Sequence, residues 1–135
     1  MNFLVNCARV PVRNGHLLSV AVELARPFEI EGVVERLRSF SGLPQELGLP
    51  LAPRFPIFVR SEQDRPQPRF DREAGIGSLA AGMAVAIGRV RKKGKFLLFF
   101  LLVNNLSRGA AGASILNAEL ALSLNKISRG KQKQI

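Results

Sequence analysis

The chain has 135 residues, 47% of them apolar and 22% charged, with twenty basic residues against ten acidic and a net charge of +10 at pH 7. That is one domain's worth of globular sequence, with too many apolar residues for a disordered chain. A single cysteine excludes an intrachain disulfide and a multi-cysteine zinc site, so no metal is expected.

Read in chain order, CARVPV (7–12) and HLLSVAVEL (16–24) are predicted strands around Arg13, Asn14 and Gly15. Asn-Gly is a strong hairpin signal. A two-residue turn there pairs Arg13 with His16 and Arg9 with Val20. Arg9 and His16 then project from one face, about 13 Å apart along the strand. Such a pair has usable chemistry, because a guanidinium forks onto a carboxylate and an imidazole moves protons near neutral pH. A surface hairpin with an exposed histidine is the other possibility, and these residues alone leave both open. In the same register Cys7 faces Val22 and reads as a small buried strand residue, not as a nucleophile.

EIEGVVERLRSF (29–40) places Ile30, Val33, Val34, Leu37 and Phe40 on one helical face, with acids first and bases last. Residues 41 to 75 are punctuated by proline and glycine and read as a long loop region, interrupted by a strand at IFVR (57–60). MAVAIGRV (83–90) and FLLFFLLV (96–103) are strands joined by the basic turn RKKGK. The second is apolar on both faces and should be central and covered on each side. It is also far shorter than the roughly 20 residues of a membrane helix. GIGSLA (75–80) imitates a dinucleotide fingerprint but lacks the preceding strand and the downstream acid. NNLSRGAAGAS (104–114) opens into a helix, either as an anion-favouring loop or as a closely packed capped helix. In that helix Leu116, Leu120, Leu124 and Ile127 form a stripe. The expected organisation is one folded unit, 1–127, and a polar tail, 128–135. The class is α+β, a mostly antiparallel sheet with helices packed on it.

Five segments are recognisable together: RVPVRNGH, GLPQELGLPLAP, DRPQPRFDREAG, GMAVAIGRVR and NNLSRGAAGASILNAEL. Between about residues 7 and 122, and in this order, they resemble the C-terminal part of archaeal- and fungal-type aspartate-semialdehyde dehydrogenases. The resemblance implies the partial C-terminal domain of a glyceraldehyde-3-phosphate-dehydrogenase-like fold, whose sheet also forms the interface of a homo-oligomer. It implies reduction of aspartyl 4-phosphate to aspartate semialdehyde with NADPH and release of phosphate, on the route to lysine, threonine and methionine. A cysteine thiolate attacks the acyl phosphate in that chemistry, and hydride reduces the thioester. His16 matches the acid/base histidine, Arg9 the arginine that grips the substrate carboxylate, and Asn105 the amide that helps hold the nicotinamide of NADP. The nucleotide-binding half and the nucleophilic cysteine belong upstream of the matched segment, so Cys7 does not inherit the nucleophile's role and this chain alone should not turn over. NNLSRG departs from the family's His-Asn-Thr-x-Arg-Gly, which leaves Asn104 without a role. The connection IGSLAAGMAV is longer than usual, and RKKGK is basic where acids are common. Arg65 and Arg69 are family markers with no chemical role assigned.

Three alternatives stand beside this reading. A malonyl-CoA reductase shares the fold and several motifs. A dimerisation module without catalytic duty fits the missing upstream half. A nucleic-acid binder fits the charge but ranks below the enzyme, because the basic residues are scattered and Trp and Tyr are absent. No membrane partner is expected. MNFLVNCARV lacks the long apolar core and cleavage site of a secretory signal, so the expected location is the cytoplasm.

Overall fold

The computed structural model describes residues 2–75 and 80–127. Most of GIGSLA and the 128–135 tail lie outside the described residues. Among the described residues five strands form one sheet: β1 (Phe3–Ala8), β2 (His16–Glu23), β3 (Ile57–Val59), β4 (Val85–Lys93) and β5 (Phe96–Val103), in the spatial order β1-β2-β5-β4-β3. All pairs are antiparallel except β3 with β4. The class is α+β, as the alternation of strand and helix patterns implies.

The apolar run at 96–103 becomes β5, the middle strand. Its two faces meet different fates. Leu102 packs with Ala74, Ala84 and Ala86, flanked by Leu17 and Phe58, in a cluster that seals one half of one face. On the opposite face Leu97 is buried with Val20, Val22 and Ile87. Each such aliphatic side chain contributes about 1.5–3 kcal/mol on full burial. The other half of the Leu102 face is bare. There Leu4, Ala21 and Leu98 stand side by side across three strands, and Leu4 is 67% exposed. The expectation that β5 is covered on both sides therefore fails over half of one face.

Helix α1 (Ile30–Arg38) begins from an extended Glu29, carries Glu31 in its first turn and Arg36 and Arg38 in its last, and packs against β3 and β4. Phe40, assigned to its apolar face, lies past the helix end and is exposed. The stretch read as a long loop contains two short helices, α2 (Leu43–Glu46) and α3 (Pro68–Asp71), each with proline in its first turn where a missing N–H leaves nothing unpaired. The final helix is shorter than its stripe. Here α4 (Gly112–Ser123) follows a π-turn at Ser107–Ala111, Leu116 is buried against Leu49 and Met83, and Leu124 and Ile127 lie exposed beyond its end.

The segment that seals the sheet is held by one carboxylate. Asp71 has no exposed side-chain surface and accepts hydrogen bonds from Arg60 Nε (2.9 Å), Arg65 Nε (2.6 Å), Arg65 Nη2 (2.5 Å) and the Gln67 amide (2.8 Å). Residue 65 also rests directly on β4: a Cβ on Gly88 would lie 2.4 Å from the Arg65 carbonyl oxygen. Only glycine permits that crossing. Burial alone would raise the Asp71 pKa, but the Arg65 hydrogen bonds, the Gln67 amide and the charges of Arg60 and Arg65 outweigh it and hold the carboxyl below its usual range.

A group whose folded pKa lies below its unfolded value stabilises the fold fully above the unfolded value, near 3.9, and loses that contribution as pH falls through the folded one. Thermal unfolding from pH 7 down to pH 2 should therefore show stability falling below about pH 4, with a shallower fall in Asp71→Asn.

Candidate functional site

The opening hairpin does not turn at Asn14-Gly15. Ala8 pairs with Leu17 and Cys7 with Leu18, so the connection is the longer loop 9–15. Pro11 has no N–H to give a ladder and restricts Val10 before it. The Val12 amide instead donates to the Val10 carbonyl at 2.8 Å, a local turn that takes the chain out of the sheet. Gly15 closes the loop at φ +108, a conformation that side-chain-bearing residues rarely adopt. The observed register, extended by one pair, sets Arg9 across from His16 and not from Val20. The correction is an even number of residues, so both still belong to one face.

Asn105, at the far end of the chain, completes this loop. Its side-chain oxygen accepts a hydrogen bond from the Gly15 amide at 2.6 Å. The backbone of the residue next to His16 is thus tied to the segment following β5. Arg9, Arg13, His16 and Asn105 all line one open cavity of about 650 Å³, together with Cys7, Asn14 and Gly15. Among the described residues no carboxylate lines it, and the charged side chains that do, Arg9 and Arg13, are cations. Because Asn105 uses its oxygen on Gly15, its Nδ2 amide is the group it can offer a ligand. Among the described residues, no group of three or more His, Cys, Asp or Glu side chains could hold a metal ion.

Two readings of the sequence change here. Cys7 is exposed, because β1 is an edge strand with bare flanks; strand propensity could not reveal which edge stays uncovered. The loop NNLSRGAAG is not an open array of N–H groups. Asn104, a residue without an expected role, is buried, and its side-chain oxygen accepts from the amides of Leu106 (2.9 Å) and Ser107 (3.1 Å). The amides of Gly109 and Ala111 donate to the carbonyls of Asn104 and Leu106. Those donors are taken within the chain, and the loop is a packed turn. Its glycine has a steric reason too, since a Cβ on Gly112 would collide with the Met83 sulfur. The only signal of Asn104 in the sequence was its place before a small-residue helix, a capping position.

With this geometry in hand, the comparisons with known proteins are specific. The sequence pattern of the family described as semialdehyde dehydrogenase, dimerisation domain, matches residues 2–108. The aspartate-semialdehyde dehydrogenase of Methanothermobacter thermautotrophicus is 50% identical over 118 residues, which are 85% of this chain and 33% of that protein. The malonyl CoA reductase (NADP) of Metallosphaera sedula is 37% identical over 122 residues, 90% of this chain and 33% of that one. A crystal structure of aspartate semialdehyde dehydrogenase with NADP from Candida albicans superimposes with a TM-score of 0.75 at 37% identity, covering 88% of this chain and 33% of that one. The chain spans about a third of the length of the curated relatives it matches.

Gly15→Ala tests the hairpin geometry. The added methyl would find tolerable room, 3.4 Å from Leu102 Cδ1, so the cost lies in the positive φ. Urea denaturation should register a loss of about 1–3 kcal/mol, and the Asn105 side-chain amide signals should shift as its bond to residue 15 loosens.

Proposed function

The chain belongs to the semialdehyde dehydrogenase dimerisation-domain family, and from that premise we propose that it forms the substrate-side and dimerisation part of an NADP-dependent aspartate-semialdehyde dehydrogenase. The observation that carries this reading is the convergence of Arg9, His16 and Asn105 on one cavity free of carboxylates.

Arg9 takes the carboxylate of aspartyl 4-phosphate on its guanidinium fork, the geometry that fixes a planar anion. His16 removes the proton from a cysteine thiol supplied by the rest of the enzyme. The thiolate attacks the acyl carbon, and phosphate leaves with its bonding pair. NADPH, when bound, supplies the hydride that reduces the resulting thioester. As the C–S bond then breaks to release the aldehyde, protonated His16 returns its proton to sulfur. Asn105 holds the nicotinamide amide through Nδ2 while its oxygen keeps the Gly15 backbone, and with it His16, in place. Without the nucleophile this chain is inactive by itself. A cytoplasmic location goes with the reading; among the described residues no helix is long and apolar enough to cross a membrane.

The bare sheet patch supports the second half of the proposal. Leu4, Ala21, Phe96 and Leu98 line a shallow apolar depression, and a second copy across it would finish the burial of β5. Exposed apolar surface of this kind on a sheet is costly to leave wet. A second substrate, a malonyl-CoA thioester, is favoured by the likeness to the Metallosphaera reductase, since acyl transfer to sulfur and hydride reduction serve both.

Supplying the remaining two thirds from the Methanothermobacter relative should restore NADPH oxidation with aspartyl 4-phosphate. In the folded assembly His16→Asn should then lower kcat about 10²–10⁴-fold, and Arg9→Leu should raise KM for the aspartyl substrate. Full activity after His16→Asn refutes the proton role, and preference for a CoA thioester transfers the assignment to the reductase. For the dimer, sedimentation at micromolar concentration should give twice the 14.8 kDa chain mass, and Leu98→Asp should give folded monomers. A monomeric parent chain would refute the dimer.

A further inference from the structure

The proposed chemistry gives the family-like segment DRPQPRFDREAG no task, although its buried ion cluster lies against the hairpin. We infer that its buried ion cluster positions the hairpin that carries His16, an inference that rests on the reading of His16 above. Asp71 is not itself a candidate acid or base. Its two oxygens already accept four hydrogen bonds, from Arg60, Arg65 and the Gln67 amide, and its side chain has no exposed surface. Arg65 is further steadied by Phe70, over whose ring both Arg65 (5.0 Å) and Arg69 (5.4 Å) lie.

A buried ion cluster is a weak source of stability, because an apolar replacement of similar shape often does as well. What a bidentate arginine–carboxylate cluster supplies better than an apolar contact is direction. Here it fixes the first turn of α3, since the Gln67 amide and Asp71 bracket Pro68. The far side of α3 meets the hairpin. A Cβ built on Gly15 would lie 3.5 Å from Pro68 Cβ and 3.7 Å from Arg72 Cβ, and Gly15 is buried between them and Leu102. Asn105 holds the Gly15 amide from another side. The residue preceding His16 is therefore gripped twice, by α3 through packing and by Asn105 through a hydrogen bond. The rest of the hairpin loop is exposed except for partly buried Asn14, so these grips, with the pairing of His16 to Val103 of β5, set where His16 sits. A misplacement of about 1 Å in a reacting group can lower a rate about 10²-fold.

The test uses the full chain and its single histidine. Asp71→Asn removes the charge of the cluster, and Pro68→Gly removes the Cβ that faces Gly15 while leaving every residue that bonds Asp71 in place. In isotope-labelled protein at a temperature where each variant is folded, both should displace the His16 ring resonances and speed Gly15 amide exchange by about tenfold. A cluster that only stabilises the fold would lower the unfolding temperature and leave the Gly15 and His16 signals where they were, and that result overturns the inference. If Asp71→Asn does not fold, Pro68→Gly decides by the same signals. Failure of the dehydrogenase reading would appear in the reconstituted NADPH assay and not in these spectra, so the two outcomes stay separate.

Discussion

The hydrogen bond from the Gly15 amide to the Asn105 side chain holds the candidate site together. It joins residues ninety positions apart and fastens an otherwise exposed loop to the segment after the central strand. Without it Arg9 would ride on an exposed loop whose nearest anchor is His16, paired with Val103 of β5. The bond works because both ends are independently fixed. Gly15 reaches its positive φ without a Cβ penalty and is packed by Leu102, Pro68 and Arg72. Asn105 stands at the head of a turn whose backbone donors are satisfied by Asn104. Two adjacent asparagines thus divide the labour, one building the turn and the other reaching across to the hairpin.

The large positive charge finds a structural explanation along the same lines. Arg60 and Arg65 neutralise Asp71. Arg54 lies over Phe55, Arg60 over Phe58, Arg89 over Phe100 and Lys92 over Phe28. Guanidinium and ammonium groups over aromatic faces shield apolar surface while keeping their charge in water. The cations left around the candidate cavity, Arg9 and Arg13 beside His16, stand where no carboxylate opposes them. A cavity of that sign favours a small anionic substrate, as the proposed function requires.

Much of this was legible in the sequence because period and composition act locally. Four of the strands, the first helix and the last are visible as patterns, and the doubly apolar FLLFFLLV is central as expected. The first strand, expected at 7–12, lies at Phe3–Ala8, because Pro11 and the local turn at Val10–Val12 take residues 9–12 out of the sheet. The hairpin register was not legible, because Asn-Gly offers a tight turn wherever it occurs and the competing hold on Gly15 comes from Asn105, far away in the chain. Cys7 was misjudged for a related reason: strand pattern marks a residue as half-buried in general, while its exposure depends on β1 being an uncovered edge. The short helices α2 and α3 hid among prolines that read as loop punctuation. Asp71 is not legible as a core residue, since a carboxylate enters an interior only when partners surround it, and those partners come from the segment that follows β3. The resemblance to a family located Arg9, His16 and Asn105; the coordinates supply the cavity they share.

The most direct probe of a shared, incomplete site is the spectrum of the labelled chain as the separately produced remainder of the Methanothermobacter relative is added. If this chain contributes one wall of the reaction cavity, the signals of Arg9, His16 and Asn105 shift together and saturate as the complex forms. A complex that forms while those three signals stay unmoved would mean that the other portion docks elsewhere, and that the cavity is not where the chemistry occurs.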